Sequence, residues 1–179
     1  YEKAAGRDRR RDFEMVHEYP LAGVPPMMTH VYHPVSGAKK MPEPGLVATK
    51  GAVERILRVC RVKGEQETQI LEKTKEMARK GYRVLGVAKA DWPGSDFPKE
   101  QDDFPWEFEG LVALYDPPKH NIRKVMDGFY KAGIAVKMIT GDYPETAMNI
   151  AQESGIRVEG EAITGEAVVA MSESQLRNA

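Results

Sequence analysis

Cysteine is almost absent. Cys60 is the single cysteine in 179 residues, so neither an intrachain disulfide nor a cysteine-based metal cluster is available. No run of 18 or more apolar residues occurs, and no signal-peptide pattern opens the chain, so nothing here reads as a membrane-spanning or secretory segment. An excess of one charge is lacking too: 26 Lys and Arg stand against 27 Asp and Glu, for a formal net charge of -1. That balance argues against a polyanion binder. The basic cluster Arg7, Arg9, Arg10, Arg11 is interrupted by Asp8, followed by Asp12 and free of aromatics, so it reads as solvated surface with no nucleic-acid role. Repeats and low-complexity tracts are missing as well. An initiator methionine is absent at Tyr1, which suggests a processed or excised fragment, soluble as it stands.

What is present is an ordinary globular composition, 41% apolar, in a length that allows one large domain or two small ones. Glu2-Lys3-Ala4-Ala5 starts in a helical manner and gives way to polar residues up to 18. Tyr19–Pro44 is rich in Pro and Gly, with one strand candidate at Met28–His33. A second strand, Leu46–Thr49, runs into Lys50-Gly51 and a helix whose Val53, Ile56, Leu57 and Cys60 follow an i, i+3, i+4, i+7 stripe. Cys60 therefore reads as a core residue. A further helix covers about Gln66–Lys80, with Gly81 just past its end. Tyr82–Ala90 has a strand pattern. Asp91–Glu107, with Pro93, Gly94, Pro98 and Pro105 among acidic residues, reads as a long surface excursion. Phe108–Tyr115 is another strand, closed by Asp116-Pro117-Pro118.

The rhythm changes at that point. Strands cluster before it, as in an α+β module with a mainly antiparallel sheet and flanking helices. After it the order is helix, strand, helix, as in an α/β unit: a helix striped by Ile122, Val125, Met126 and Phe129 and ended by Gly133, a strand over Ile134–Thr140, and a helix over Pro144–Ser154 stopped by Gly155. Two successive prolines fix φ and remove two donors, so Asp116-Pro117-Pro118 reads as a stiff hinge between domains spanning 1–115 and 116–179. The apolar run Val136–Ile139 stops at Thr140-Gly141-Asp142, ahead of a helix N-terminus. Two readings stand for this loop. Backbone N–H groups and the helix dipole would hold a phosphoryl group there, or Asp142 simply caps the helix while Thr140-Gly141 makes the turn.

Asp116-Pro117-Pro118-Lys119, Ala132-Gly133-Ile134, Met138-Ile139-Thr140-Gly141-Asp142, Thr146-Ala147 and Ile150-Ala151 together resemble the P-type cation-transporting ATPases. Lys50-Gly51-Ala52-Val53-Glu54 is similar to that family's Lys-Gly-Ala-Pro-Glu nucleotide motif, with Val53 for the proline. Gly81-Tyr82-Arg83-Val84-Leu85 is similar to its later Arg-containing strand. The overall pattern looks closest to bacterial pumps of the calcium-ATPase-like branch. The resemblance covers nearly the whole chain and implies a largely complete nucleotide-binding domain, then part of an α/β haloacid-dehalogenase-like phosphorylation domain. It implies ATP as substrate, Mg2+ in the parent enzyme, an aspartyl-phosphate intermediate, and as partners the membrane and actuator domains of the same pump at the cytoplasmic face of the cell membrane.

Carried over residue by residue, the resemblance puts Lys50 and Gly51 at the floor of the adenine pocket, near the phosphate chain. Tyr19 would stack on the base, an interaction of about 1–3 kcal/mol, and Glu2 would accept from its amino group. Arg83 would meet phosphate and Leu85 the base. Thr140 and Gly141 would offer a hydroxyl and an N–H to the transferring phosphoryl group, with Asp142 ordering the loop. Asp116 and Lys119 would position the hinge; the family more often has Arg at the Lys119 position, and the two are not equivalent at a bidentate site.

Departures limit what the chain can do. The family often carries an Arg-x-x-Lys-like cluster after the aromatic, but Leu21–Met28 holds no cation, so nucleotide is expected to bind weakly, in the millimolar range. The strings Asp-Lys-Thr-Gly-Thr, with the family nucleophile, and Gly-Asp-Gly-x-Asn-Asp, which helps hold magnesium, do not occur, so the chain alone is expected to be inactive. No metal ligands are expected. Two alternatives stand beside this reading: a small haloacid-dehalogenase-type phosphohydrolase, against which the missing Asp-x-Asp-like loop argues, and a non-catalytic binding module. A partial sheet without its first strand would also leave an edge open to self-association.

Overall fold

The computed structural model describes residues 10–35, 45–93, 96–158, 160 and 162–178. The helical start at Glu2–Ala5 lies outside them, as does Glu2 itself. Five strands, β1 (Phe13–Ala22), β2 (Met27–Pro34), β3 (Gly45–Gly51), β4 (Arg83–Trp92) and β5 (Glu107–Leu114), form one sheet in sequence order. Each neighbouring pair from β1 to β4 is antiparallel. Helices α1 (Val53–Val59) and α2 (Glu65–Arg79) follow β3. The sheet with its flanking helices has the α+β form read from the sequence. By its internal contacts the chain divides into two compact units, residues 1–74 with 84–112, and residues 75–83 with 113–179.

In the first unit the strands alternate, as a sheet with one covered face must. Met27, Thr29 and Val31 of β2, Val47 and Thr49 of β3, and Ala88 and Ala90 of β4 are buried. Their neighbours Met28, His30, Lys50 and Val87 point the other way. Helix α1 covers the buried face with Val53, Ile56 and Leu57, each worth roughly 1.5–3 kcal/mol when fully buried. Gly86 permits this packing, because a Cβ there would stand 2.9 Å from Ile56 Cβ.

The stretch Asp91–Glu107 differs from its expected surface role. A short 3-10 turn at Gln101–Asp103 turns Gln101, Phe104 and Trp106 inward, and the two aromatics join Met27, Val31, Val47 and Ile56 in the core. Buried Gln101 accepts from the Thr29 hydroxyl (2.9 Å) and donates to the Met27 carbonyl (3.1 Å), and Trp106 Nε1 donates to the Gln101 carbonyl (3.0 Å). Each polar group taken inside thus has a partner. Strand β1 was also not anticipated: as an edge strand with mostly exposed side chains, it carries little apolar alternation.

In the second unit, α3 (Ile122–Lys131) buries Met126 and α4 (Pro144–Ser154) buries Ala147 and Ala151. Arg123 of α3 donates from Nε to the Glu153 carbonyl (2.8 Å) and from a terminal nitrogen to the Gln152 carbonyl (3.1 Å), satisfying orphan acceptors at the end of α4. Gly155, in left-handed conformation at φ 76°, then ends α4 as expected. Two short helices not foreseen, α5 (Gly165–Ala170) and α6 (Glu173–Asn178), follow.

Ile134–Thr140, expected as a strand, is not one. It joins no ladder among the described residues, and Ile134, Met138 and Ile139 are exposed, Ile139 at 98%. β propensity expresses fit to a pleated, half-buried surface, and without a partner strand no ladder forms; the Ile134 N–H instead donates to the Phe129 carbonyl (2.9 Å) behind α3.

Candidate functional site

Lys50 is the penultimate residue of β3, exposed on the sheet face that the core does not use. Directly across the ladder stand Met28 on β2 and Val87 on β4, with Leu85 two residues before Val87 on the same face. The result is an ammonium beside a small apolar platform. Gly51 follows for a backbone reason: a Cβ there would lie 2.6 Å from the Pro26 carbonyl oxygen and 2.8 Å from Met27 Cα. The Ala52 N–H donates to that same Pro26 carbonyl (3.1 Å), so the β3 end is tied to the β1–β2 turn.

Tyr19 is not part of this platform. It pairs with Thr29, which pairs with Thr49, so its ring lies on the core face, opposite to Lys50. Its hydroxyl donates to the Pro98 carbonyl, and its ring meets Phe104 edge-on at 5.7 Å. Burial first, then the carboxylates of Asp103 and Glu100, push its hydroxyl pKa up. Tyr19 and Lys50 thus stand on opposite faces of the sheet, since a residue one step out of register faces the other way.

The side chain that sequence reasoning missed in this unit is Arg55. It rises from α1, 8% exposed, beneath the turn that follows β1. One terminal nitrogen donates to the Pro25 carbonyl (3.1 Å), and the other is 2.6 Å from Asp102 Oδ1. Gly23, at φ 85°, is indispensable above it, because a Cβ there would stand 1.8 Å from an Arg55 terminal nitrogen. Arg55 lies off the apolar stripe of α1, and no sequence pattern pairs it with Asp102 across 47 positions.

In the second unit the Thr-Gly-Asp loop is closed on itself. The Thr140 hydroxyl donates to Asp142 Oδ2 (2.9 Å) and accepts from the Asp142 backbone N–H (3.1 Å). Asp142 does not cap α4: the N-cap position is Tyr143, with no side-chain cap, and Pro144 opens the helix. Its second carboxylate oxygen is 3.2 Å from Arg83 Nε, so two residues singled out separately are brought together. Gly141 is exposed. Asp116, Pro117, Pro118 and Lys119 have no regular structure, and the Lys119 carbonyl accepts from the Ile122 N–H (3.0 Å) where α3 begins.

Cys60 is half-buried, and burial pushes its thiol pKa up to about 11. Among the described residues no group of three or more His, Cys, Asp or Glu side chains is placed to hold a metal ion. No described helix is long and apolar enough to cross a membrane.

Residues 3–121 match the family model described as P-type ATPase, cytoplasmic domain N. The chain is 35% identical over 153 residues to a sodium/potassium exporting P-type ATPase of Schizosaccharomyces pombe, covering 79% of this chain and 14% of that one. It is 31% identical over 188 residues to calcium-transporting ATPase 1 of Saccharomyces cerevisiae, covering 96% and 19%. To a putative cation-transporting ATPase of Methanocaldococcus jannaschii it is 31% identical over 125 residues, covering 70% and 13%. The chain thus spans between 13% and 19% of the length of these curated relatives. With domain N matched over 119 residues, from 3 to 121, and relatives above 30% identity along most of its length, the chain belongs to the P-type ATPase family.

Proposed function

We propose that this chain is the ATP-binding portion of an ATP-driven cation pump that works through an aspartyl-phosphate intermediate. Residues 1–115 are its nucleotide-binding domain. Residues 116–179, entered through Asp116-Pro117-Pro118-Lys119, are part of its haloacid-dehalogenase-like phosphorylation domain. The parent acts at the cytoplasmic face of a membrane, with its membrane and actuator domains as partners. The calcium-type branch is supported by similarity along 96% of the chain to a protein named as a calcium-transporting ATPase.

The observation that carries the nucleotide reading is the placement of Lys50, exposed at the carboxyl end of β3 with Met28, Val87 and Leu85 on the same face. An apolar platform beside a cation suits a planar base with an anionic tail. Tyr19 is not carried into the site, because its ring is used in packing. Arg83 serves as a phosphate contact, and a phosphate reaching it competes with Asp142. Thr140 and Gly141 supply donors to a transferring phosphoryl group once the loop opens its internal bond. The chain itself holds no nucleophile motif and performs no transfer.

Titration with ATP, followed by amide shifts, tests this. Movement at Lys50, Gly51, Leu85 and Arg83 with a millimolar dissociation constant is expected. A micromolar constant would overturn the weak-binding reading, and unmoved residues would overturn nucleotide binding altogether. Turnover of a generic phosphoester with magnesium would instead indicate a small phosphohydrolase.

A further inference from the structure

The family motif at Thr146-Ala147 has no role in the site described above, yet Thr146 is 1% exposed. Its hydroxyl donates to the Tyr82 carbonyl (3.1 Å). One helical step further, Asn149 Nδ2 donates to the Arg79 carbonyl (3.3 Å). Asp142, four residues before Thr146, holds Arg83 Nε at 3.2 Å. Thr146 and Asn149, three positions apart, share one face of α4, and Asp142 lies in the loop just before that helix. Together they meet Tyr82, Arg79 and Arg83, and all six residues belong to the second unit.

The segment they hold is the turn that ends α2. Its remaining backbone acceptors are used internally: the Gly81 N–H donates to the Ala78 carbonyl (2.9 Å) and the Tyr82 N–H to the Met77 carbonyl (3.2 Å). Gly81, at φ 80°, brings its backbone so close to α4 that a Cβ would stand 2.4 Å from Asn149 Oδ1. The backbone leading into Arg83 is thereby fixed on both sides, while the Arg83 side chain itself is 67% exposed. Ordering a long, exposed side chain costs rotamer entropy, and an exposed pair alone is weak. A fixed backbone lowers that cost by presenting Arg83 from one direction.

We propose that Thr146 and Asn149 are positioning residues, which fix the Arg79–Tyr82 backbone so that Arg83 stands on Asp142. The inference rests on the reading of Arg83 as a phosphate contact for its functional meaning, but its test uses no nucleotide and so stands or falls separately. In the 179-residue chain, nitrogen-15 relaxation of Arg83 Nε reports how firmly the guanidinium is held. Thr146→Val, which keeps shape and removes the donor, should lower the equilibrium constant for the Asp142-bound state by up to roughly fivefold, the worth of one ordinary hydrogen bond. Thr146→Ser should restore it, and Asn149→Ala should lower it in the same sense. In an Asp142→Asn background, Thr146→Val should add nothing. Unchanged Nε mobility in Thr146→Val, or an equal loosening with Asp142 already replaced, would overturn the proposal.

Discussion

Arg83 Nε and Asp142 Oδ1 stand 3.2 Å apart, although 59 positions separate them in the chain. The pair joins the start of β4 to the Thr-Gly-Asp loop within one compact unit. Asp142 is itself held through its other carboxylate oxygen by the Thr140 hydroxyl.

The first prediction concerns this pair. Replacing Asp142 by Asn removes the competitor for Arg83 and should tighten ATP binding, by no more than roughly fivefold, since exposed pairs are worth about 0.2–1 kcal/mol. Arg83→Gln should weaken binding instead. Calorimetric titration of both variants gives opposite signs if Arg83 is shared between carboxylate and phosphate. Equal weakening in both would show that Asp142 contributes directly to binding.

Lys50 and Tyr19 provide a second contrast. Lys50→Ala should weaken ATP binding and leave thermal stability within about 0.5 kcal/mol, as for ordinary surface substitutions. Tyr19→Ala removes a ring from the margin of the core and a bond to the Pro98 carbonyl. It should cost roughly 2–4 kcal/mol in denaturant melts, by analogy with other large-to-small core changes. A Tyr19→Ala chain of parental stability that loses nucleotide would restore the stacking role.

Arg55 tests the packing beneath the β1–β2 turn. Arg55→Ala leaves the Pro25 carbonyl and Asp102 without their guanidinium and should cost about 2–3 kcal/mol. Gly23→Ala forces a Cβ into the same guanidinium at a left-handed φ and should also destabilise. Because both changes act on one contact, the double variant should lose less than the sum of the two, as chemical denaturation would reveal. Strict additivity would separate the two residues.

Cys60 gives a pH dependence. Burial raises its folded-state pKa to about 11, so the folded chain holds that proton more tightly than the unfolded one. The corresponding stability is fully present below the ordinary thiol pKa and is lost as pH rises from there through about 11. Alkaline melting curves should therefore flatten in Cys60→Ala over that window. In the parent at neutral pH, thiol reagents should react slowly until the chain unfolds.

The apolar, unpaired run Ile134–Thr140 predicts association between copies. Its Ile139 is 98% exposed, and the segment joins no ladder among the described residues. Light scattering should show concentration-dependent association that Ile139→Lys reduces. A monomer at high concentration would dismiss it.

The sequence by itself determined the elements whose signal is local. The apolar stripe of α1, the glycines behind α3 and α4, and the alternation of β2 to β4 record interactions with near neighbours, so they could be read directly. The family followed from motifs that are contiguous strings, such as Lys50-Gly51-Ala52 and Thr140-Gly141-Asp142. Tertiary structure decided everything that depends on which face or which distant partner a residue meets. A one-residue difference in parity sent Tyr19 to the core and Lys50 to the open face. Burial of Phe104 and Trp106 turned an acidic, proline-rich excursion into part of the core, because they fill volume beside β2 and α1. Ile134–Thr140 has strand composition and no strand, since ladder hydrogen bonds require a second chain segment. The bond between Arg83 and Asp142 belongs to the same class: two charges far apart in sequence meet because α4 holds the turn before β4 by its carbonyls.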